Sequence, residues 1–303
     1  MGMTQNAPLS EAAVAIFGPG LLGGSLALAL RAKWPQLPIR IWARRAEAAS
    51  AVLSAGLADV AGTDAGEIAA GASLIILATP VETMSNLAHQ IIATSLRQDA
   101  LVTDVGSVKG AVSQALSPIF AGHAEFLGSH PMAGSEKAGL SEARADLFQD
   151  AACILTPQGG TSPAAFDRLR QFWQSLGCKV IVRDSATHDR EVARISHLPH
   201  MMAAVTTRAA LAASPTAVDC VGNGFRDSTR VAAGDPGLWT GIVAENRAEV
   251  LAALKDAQTE LGQLVEIIGN LDDEALHEFL TQAKALRDAV PAPTVSPSWP
   301  PSK

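Results

Sequence analysis

The chain has 303 residues, 48% of them hydrophobic and 17% charged, with a net charge of −7 and a mean hydropathy of +0.19. That length holds one large or two medium domains with a sizeable core. An acidic balance without basic runs argues against nucleic-acid and membrane partners. Three cysteines, Cys153, Cys178 and Cys220, show no C-x-x-C spacing, which suits a reducing compartment. Residues 1–12 lack the cationic start and apolar stretch of a signal peptide. No apolar run reaches membrane-spanning length without a charge or proline, so a cytoplasmic location is expected. The sequence contains no tyrosine, which excludes the short-chain dehydrogenases, whose Tyr-x-x-x-Lys pair supplies a phenol as general acid.

The apolar run Ala13 to Phe17 reads as a strand, and Gly18-Pro19-Gly20-Leu21-Leu22-Gly23 follows it as a G-x-G-x-x-G turn into a helix over Leu21 to about Lys33. Gly18 allows the tight turn, Gly20 lets the backbone approach a pyrophosphate, and Gly23 lets helix and sheet pack closely. The helix start, at Leu21 and Leu22, aims free N–H groups at the phosphates. A second strand, Ile39 to Trp42, arrives at the spacing of a dinucleotide fold but ends in Ala43-Arg44-Arg45. The carboxylate that accepts bonds from the ribose hydroxyls of NAD is missing there. Arg44 and Arg45 stand where a guanidinium could clamp a 2′-phosphate, or they are solvated residues at a helix start. NADP is thus read slightly ahead of NAD.

Further strands are expected near 73–78, 100–105, 125–128, 151–156 and 178–183, with helices between, as a mainly parallel sheet requires. Thr79-Pro80 stops the strand that ends at Ala78. Ser107, in Thr103-Asp104-Val105-Gly106-Ser107-Val108-Lys109, is placed to cap a helix from Val108. Ligands bind beyond the carboxyl ends of such strands, so Gly18, Thr79, Ser107 and the segment after 125–128 should share one crevice. After residue 183 no strand is convincing, and helices follow at about 184–213, 225–233, 236–269 and 272–289. Pro199 should kink the first of these, because it lacks an N–H and crowds the preceding turn. The expected organisation is a flexible start at 1–12, a Rossmann-like domain at 13–183, a helical domain at 184–290 and a disordered proline-rich tail at 291–303.

Chemistry candidates fall in three segments. His130, in Gly128-Ser129-His130-Pro131-Met132-Ala133-Gly134, sits at a strand end on the ligand side, where an imidazole suits accepting a proton from an alcohol. Alternatively it is a loop histidine bonded to a carbonyl. His197 and His200, in Ser196-His197-Leu198-Pro199-His200, face one way on the kinked helix, but no third ligand has a recognisable spacing, so no metal is expected. In Gly222-Asn223-Gly224-Phe225-Arg226-Asp227-Ser228-Thr229-Arg230, two arginines after a flexible turn could face a carboxylate substrate. Taken alone, that segment reads rather as a helix face paired with Asp227 and solvent.

Together these segments, with Asp235-Pro236-x-x-Trp239, follow the order of motifs in the prephenate/arogenate dehydrogenases of tyrosine biosynthesis, and residues 13–270 resemble that family. The H-P-M-A-G-S-E and S-H-L-P-H segments carry the resemblance far more specifically than the glycine turn. It implies an α/β protein, with a Rossmann-like N-terminal domain and an all-helical C-terminal domain through which it dimerises, and a nicotinamide cofactor. The implied reaction is oxidative decarboxylation of prephenate, with arogenate as the alternative substrate. His130 corresponds to the catalytic histidine that bonds the substrate hydroxyl, Ser107 sits beside it, and Arg230 corresponds to the substrate-binding arginine. His200 would touch the substrate side chain. Glu136, Asp227 and Trp239 would be supporting or gating groups, with Trp239 in reach of a second subunit. Members that prefer arogenate tend to carry an acid at the position of Arg194, so a cation there favours prephenate. Competing readings are a β-hydroxyacid dehydrogenase, whose lysine on the interdomain helix has no counterpart between Lys179 and Lys255, and a non-catalytic nicotinamide sensor.

Overall fold

A computed structural model describes residues 12–291, so the expectations for 1–12 and 291–303 lie almost wholly outside the described residues. The chain opens with β1 (Ala13–Phe17), α1 (Leu21–Lys33), β2 (Ile39–Trp42), α2 (Ala46–Ser54), β3 (Val60–Gly62), α3 (Ala65–Ala69), β4 (Ala72–Leu77), α4 (Val81–Ile92), β5 (Leu101–Asp104), α5 (Gly110–Phe120) and β6 (Glu125–Phe126). The six strands form one parallel sheet in the order β3-β2-β1-β4-β5-β6, the doubly wound Rossmann plan. Every residue of β4 is buried, as befits a central strand covered on both faces. One apolar cluster, with Leu26, Leu30, Ile39 and Ile76, fills the α1 side. A second, with Phe17, Ile75, Leu87 and Phe120, fills the side of α4 and α5.

Next come β7 (Gly128–Pro131), β8 (Ala152–Thr156), α6 (Pro163–Ser175) and β9 (Lys179–Val182). The segment expected as one strand at 125–128 is interrupted at Leu127. Its second part leaves the parallel sheet and pairs antiparallel with β8, which pairs parallel with β9. His130 therefore lies within β7, opposite Ile154, rather than in a loop beyond the large sheet. The short strand β3, bounded by turns and only three residues long, carries no alternation for a sequence reading to find.

Helices make up the remainder among the described residues: α7 (Ser185–Val192), α8 (Leu198–Ala213), α9 (Asn223–Thr229), α10 (Pro236–Glu245), α11 (Arg247–Gly269) and α12 (Asp273–Asp288). Asp184 caps α7 by accepting from Thr187 N, and Asp235 caps α10 by accepting from Leu238 N, with Pro236 in its first turn. Between α7 and α8 the backbone widens into a π-helical turn over Ala193–His197. Pro199 follows directly in the first turn of α8, so its steric conflict with the preceding turn is met by widening that turn. The helix expected at 236–269 is broken at Asn246 (φ −115°, ψ 30°).

Ser107 does not cap a helix. The helix starts at Gly110, and the Lys109 and Gly110 N–H groups donate instead to the two carboxylate oxygens of Asp189, each at 2.8 Å. An acceptor from a distant element displaces the local serine.

The glycine turn is tight. Gly18 adopts φ +110°, and a Cβ on Gly23 would lie 2.0 Å from the Gly18 carbonyl oxygen, whereas one on Gly20 meets nothing within 4 Å. Gly23→Ala is expected to lower stability by about 1–3 kcal/mol, the scale of overpacking. Gly20→Ala should leave the melting temperature unchanged while weakening cofactor binding. Thermal unfolding of both variants checks this, and an unaltered Tm for Gly23→Ala contradicts the close approach.

Candidate active site

The crevice begins at the glycine turn. A Cβ on Gly18 would meet the Ala78 carbonyl at 2.8 Å and the Thr79 methyl at 3.0 Å, so the first turn and the Thr79-Pro80 loop lie against one another. Gly20 precedes α1 in extended conformation, and Leu21 and Leu22 form the half-buried first turn. The open space at Gly20 and the free N–H groups of that turn fit a dinucleotide pyrophosphate. Arg44 and Arg45 are exposed at the end of β2, and neither guanidinium makes an ion pair or hydrogen bond with the described residues. Pro80 precedes α4, and the Thr79 and Thr83 hydroxyl oxygens lie 3.0 Å apart.

His130 is 6% exposed, and its Nδ1 lies 2.8 Å from Nε2 of His188 on α7. His188 Nδ1 in turn lies 2.7 Å from Asp189 Oδ1. The turn that carries Ser107 is tied at both ends to the neighbours of His130. Ser129 Oγ donates to the Asp104 carbonyl at 2.6 Å, and Lys109 N donates to Asp189. Between these anchors Ser107 is half-buried, and its hydroxyl has no partner among the described residues. Beneath the turn Lys109 Nζ, fully buried, pairs with buried Asp104.

The helical part closes the crevice. His200 stacks on Trp239 of the same chain, with centroids 3.5 Å apart and planes 14° from parallel, and His197 meets that indole edge-on at 6.1 Å. A Cβ on Gly234 would lie 2.6 Å from Trp239 Nε1, so the glycine admits the ring. Asn246, at the break between α10 and α11, donates from Nδ2 to the Asp189 carbonyl at 2.9 Å and lies 3.3 Å from His197 Nδ1. His197 Nε2 and His200 Nδ1 are buried with no partner among the described residues, two polar atoms that a ligand could satisfy. Arg230 Nη1 donates to Glu136 Oε2 at 2.6 Å, joining the helical part to the loop after β7.

Not every expected residue arrives. Asp227 is exposed and has no partner among the described residues. Arg194 donates to Asp256 of α11 at 2.7 Å in a groove shared with Leu198, Met202 and Phe279, away from His200 and Trp239. Conversely, His188, Asp189 and Asn246 belong to the site and escaped the sequence reading. The only signal was a His-Asp pair in the first turns of a capped helix, outweighed by the denser S-H-L-P-H segment nearby.

Burial, with the neighbouring His188, Lys109 and His197, holds His130 well below the ordinary histidine range. Its imidazole is therefore neutral near pH 7. Burial would raise Asp189, but the bonds from His188, Lys109 N and Gly110 N hold it below the usual carboxylate value. Burial, opposed by Asp189, takes His197 from 6.5 to about 4.

These shifts set a stability profile. Between about 6.5 and 4 the unfolded chain binds a proton at His197 and the folded chain does not, so this stability is full above 6.5 and falls as pH drops through the window, and the lowered His130 acts in the same direction. The slope is up to ~1.4 kcal/mol per pH unit for each histidine. Urea midpoints at pH 7 and pH 5 should differ, and His197→Gln should reduce the difference; equal wild-type midpoints contradict the assignment.

Comparison with known proteins agrees with this geometry. Residues 26–182 match the family described as prephenate dehydrogenase, nucleotide-binding domain, and residues 184–282 match prephenate dehydrogenase, dimerization domain. A prephenate dehydrogenase of Lactococcus lactis is 30% identical over 281 residues, which cover 91% of this chain and 77% of the relative. A crystal structure of the Aquifex aeolicus prephenate dehydrogenase with hydroxyphenyl propionate and NAD+ is 30% identical, with a TM-score of 0.81 over 92% of this chain and 98% of that one. The arogenate dehydrogenase of Synechocystis is 33% identical, with a TM-score of 0.77 over 91% and 98%. The chain belongs to the prephenate/arogenate dehydrogenase family.

Proposed function

We propose that this protein oxidatively decarboxylates prephenate to 4-hydroxyphenylpyruvate with a nicotinamide cofactor, in tyrosine biosynthesis. The observation that carries this is the neutral, buried His130, anchored beside the Ser107 turn in a crevice that starts at the glycine turn. A bound nicotinamide would supply the acceptor for the hydride that leaves C4 of the substrate. Loss of that hydride and of the ring carboxylate as CO2 leaves an aromatic ring, so the driving force belongs to the substrate. The protein's part is to orient the ring, bind two carboxylates and take the hydroxyl proton.

His130 bonds the 4-hydroxyl, accepts its proton as the hydride leaves C4, and returns it to the phenolate oxygen formed when CO2 is lost. Ser107, with its free hydroxyl, positions that group and the cofactor. Arg230 exchanges part of its bond to Glu136 for a substrate carboxylate, so the 2.6 Å ion pair is the resting state of a gate. His200, held flat on Trp239, presents its unpaired Nδ1 to the side-chain end of the substrate. Gly18, Gly20, Leu21, Leu22, Gly23, Thr79 and Pro80 would hold the cofactor. The Asp227 carboxylate makes no contact among the described residues.

A second reading is arogenate, which carries an ammonium where prephenate has a keto oxygen. It gains weight because Asp256 neutralises Arg194, so no cation from that position reaches the site, and because the Synechocystis relative is an arogenate dehydrogenase. Exposed Leu251, Leu261, Val265 and Ile268 on α11, with Leu280 and Leu286 on α12, form the apolar surface through which we read a homodimer. The three free cysteines suit a reducing, cytoplasmic setting. No helix among the described residues is long and apolar enough to cross a membrane.

Reduced-cofactor formation with prephenate and then arogenate tests the function, and a higher kcat/KM for arogenate selects the second reading. His130→Asn should retain cofactor binding and lose about 10²–10⁴-fold in kcat. Arg230→Ala should raise KM by the equivalent of about 1.5–3 kcal/mol. Normal turnover by the first variant, or a normal KM in the second, removes that residue from its role.

Cofactor choice rests on Arg44 and Arg45, whose exposed guanidinium groups have no partner among the described residues and could pair with a 2′-phosphate, so NADP is read over NAD. The NAD+ in the Aquifex structure speaks for the other choice. Comparing kcat/KM for the two cofactors decides it, and Arg44→Asp should shift the ratio toward NAD. A ratio that the substitution leaves unmoved rejects the arginine argument.

A further inference from the structure

The proposed mechanism uses His130 as a base but leaves the buried His188 and Asp189 without a part. We propose that they are positioning residues, which hold His130 in the tautomer with hydrogen on Nδ1 and the lone pair on Nε2, facing the substrate hydroxyl. The inference rests on the reading of His130 as the proton acceptor and goes beyond it.

The argument is one of donors and acceptors. The Asp189 carboxylate accepts from Lys109 N and Gly110 N and has no proton of its own to give, so the 2.7 Å contact with His188 Nδ1 requires a hydrogen on that nitrogen. With one hydrogen on each ring, His188 carries its lone pair on Nε2. At 2.8 Å from His130 Nδ1 one proton must lie between the rings, and it belongs to His130. The remaining nitrogen, His130 Nε2, has no partner among the described residues and is the one free to act as base.

Asp189 is well placed to hold this order. Its two backbone N–H donors belong to the start of α5, and its own carbonyl accepts from Asn246. A Cβ at Gly110 would lie 2.7 Å from Asp189 Oδ2, so the helix end closes on the carboxylate without a side chain between them. The charged and titratable groups around His130 are Lys109 and Asp104 at the Ser107 turn, Cys153 on β8, His188 and Asp189 on α7, and His197 on the π-helical turn. Asp189 is the carboxylate joined to His130 through a hydrogen-bonded chain, and it offsets the charge that arrives with the substrate proton.

The test is the ¹⁵N spectrum of the full-length protein at pH 7.5 without substrate, the His130 signals being identified by their loss in His130→Asn. The expected pattern is a protonated Nδ1 and an unprotonated Nε2. In His188→Leu, which removes the acceptor, the two tautomers should mix. There kcat should fall about 10–100-fold while KM stays nearly constant. His188→Gln, whose carbonyl can accept the Nδ1 hydrogen, should recover a large part of the loss. A wild-type His130 with hydrogen on Nε2, or wild-type turnover by His188→Leu, overturns the proposal. Should His188→Leu not fold, the wild-type spectrum still decides. If the wild type turns over neither prephenate nor arogenate, the functional reading fails while the tautomer measurement stands.

Discussion

The Asp189 carboxylate is the contact on which the site depends. It sits in the first helix after the sheets, yet it ends α5 of the Rossmann part, meets the histidine beside His130, and through its carbonyl fixes the joint between α10 and α11. A buried carboxylate is stable only when its lone pairs are occupied, and here two backbone N–H groups and an imidazole occupy them. The position of the helical part relative to the sheet is thus bound to the geometry of the reacting groups.

Around that anchor, each part of the crevice is held by a different force. The glycine turn is defined by steric closeness, since the Gly18 carbonyl occupies the space a Gly23 side chain would need. Trp239 and His200 are defined by ring stacking over a glycine at 234, which gives the imidazole one orientation. Arg230 and Glu136 are joined by an ion pair between partly exposed groups, the weakest of these contacts and the one best suited to exchange partners with a ligand. The contacts around His130 are buried and fixed, whereas the pair of Arg230 and Glu136 is free to exchange.

The helical segment from α7 to α8 shows how backbone irregularity serves the site. Pro199 prevents a regular helix just where His197 and His200 must face the crevice, and the turn before it widens into a π-helix. That turn leaves His197 near Asn246 and lets His200 lie on Trp239, while Arg194 faces the opposite groove and Asp256. An argument about substrate charge from position 194 alone failed to locate the guanidinium, because an exposed ion pair across α11 decides its direction.

What the sequence determined by itself was local. Apolar runs, the G-x-G-x-x-G turn, Pro199 and the Asp-Pro start of α10 act within a few residues, so the doubly wound plan, the change to helices after residue 183, and His130, Arg230 and His200 as candidates were legible in order along the chain. Tertiary structure decided wherever a distant partner outcompetes a local one. Asp189 replaced Ser107 at the start of α5, β8 drew β7 out of the parallel sheet, and buried contacts of Asn246 broke the expected helix at 236–269. His188 became visible only when folding brought its ring to 2.8 Å from His130, across 58 residues of sequence. The physical reason is that propensity and pattern report the environment a residue prefers, whereas hydrogen-bond partners are chosen by burial, which leaves no donor or acceptor free to wait for a nearer one.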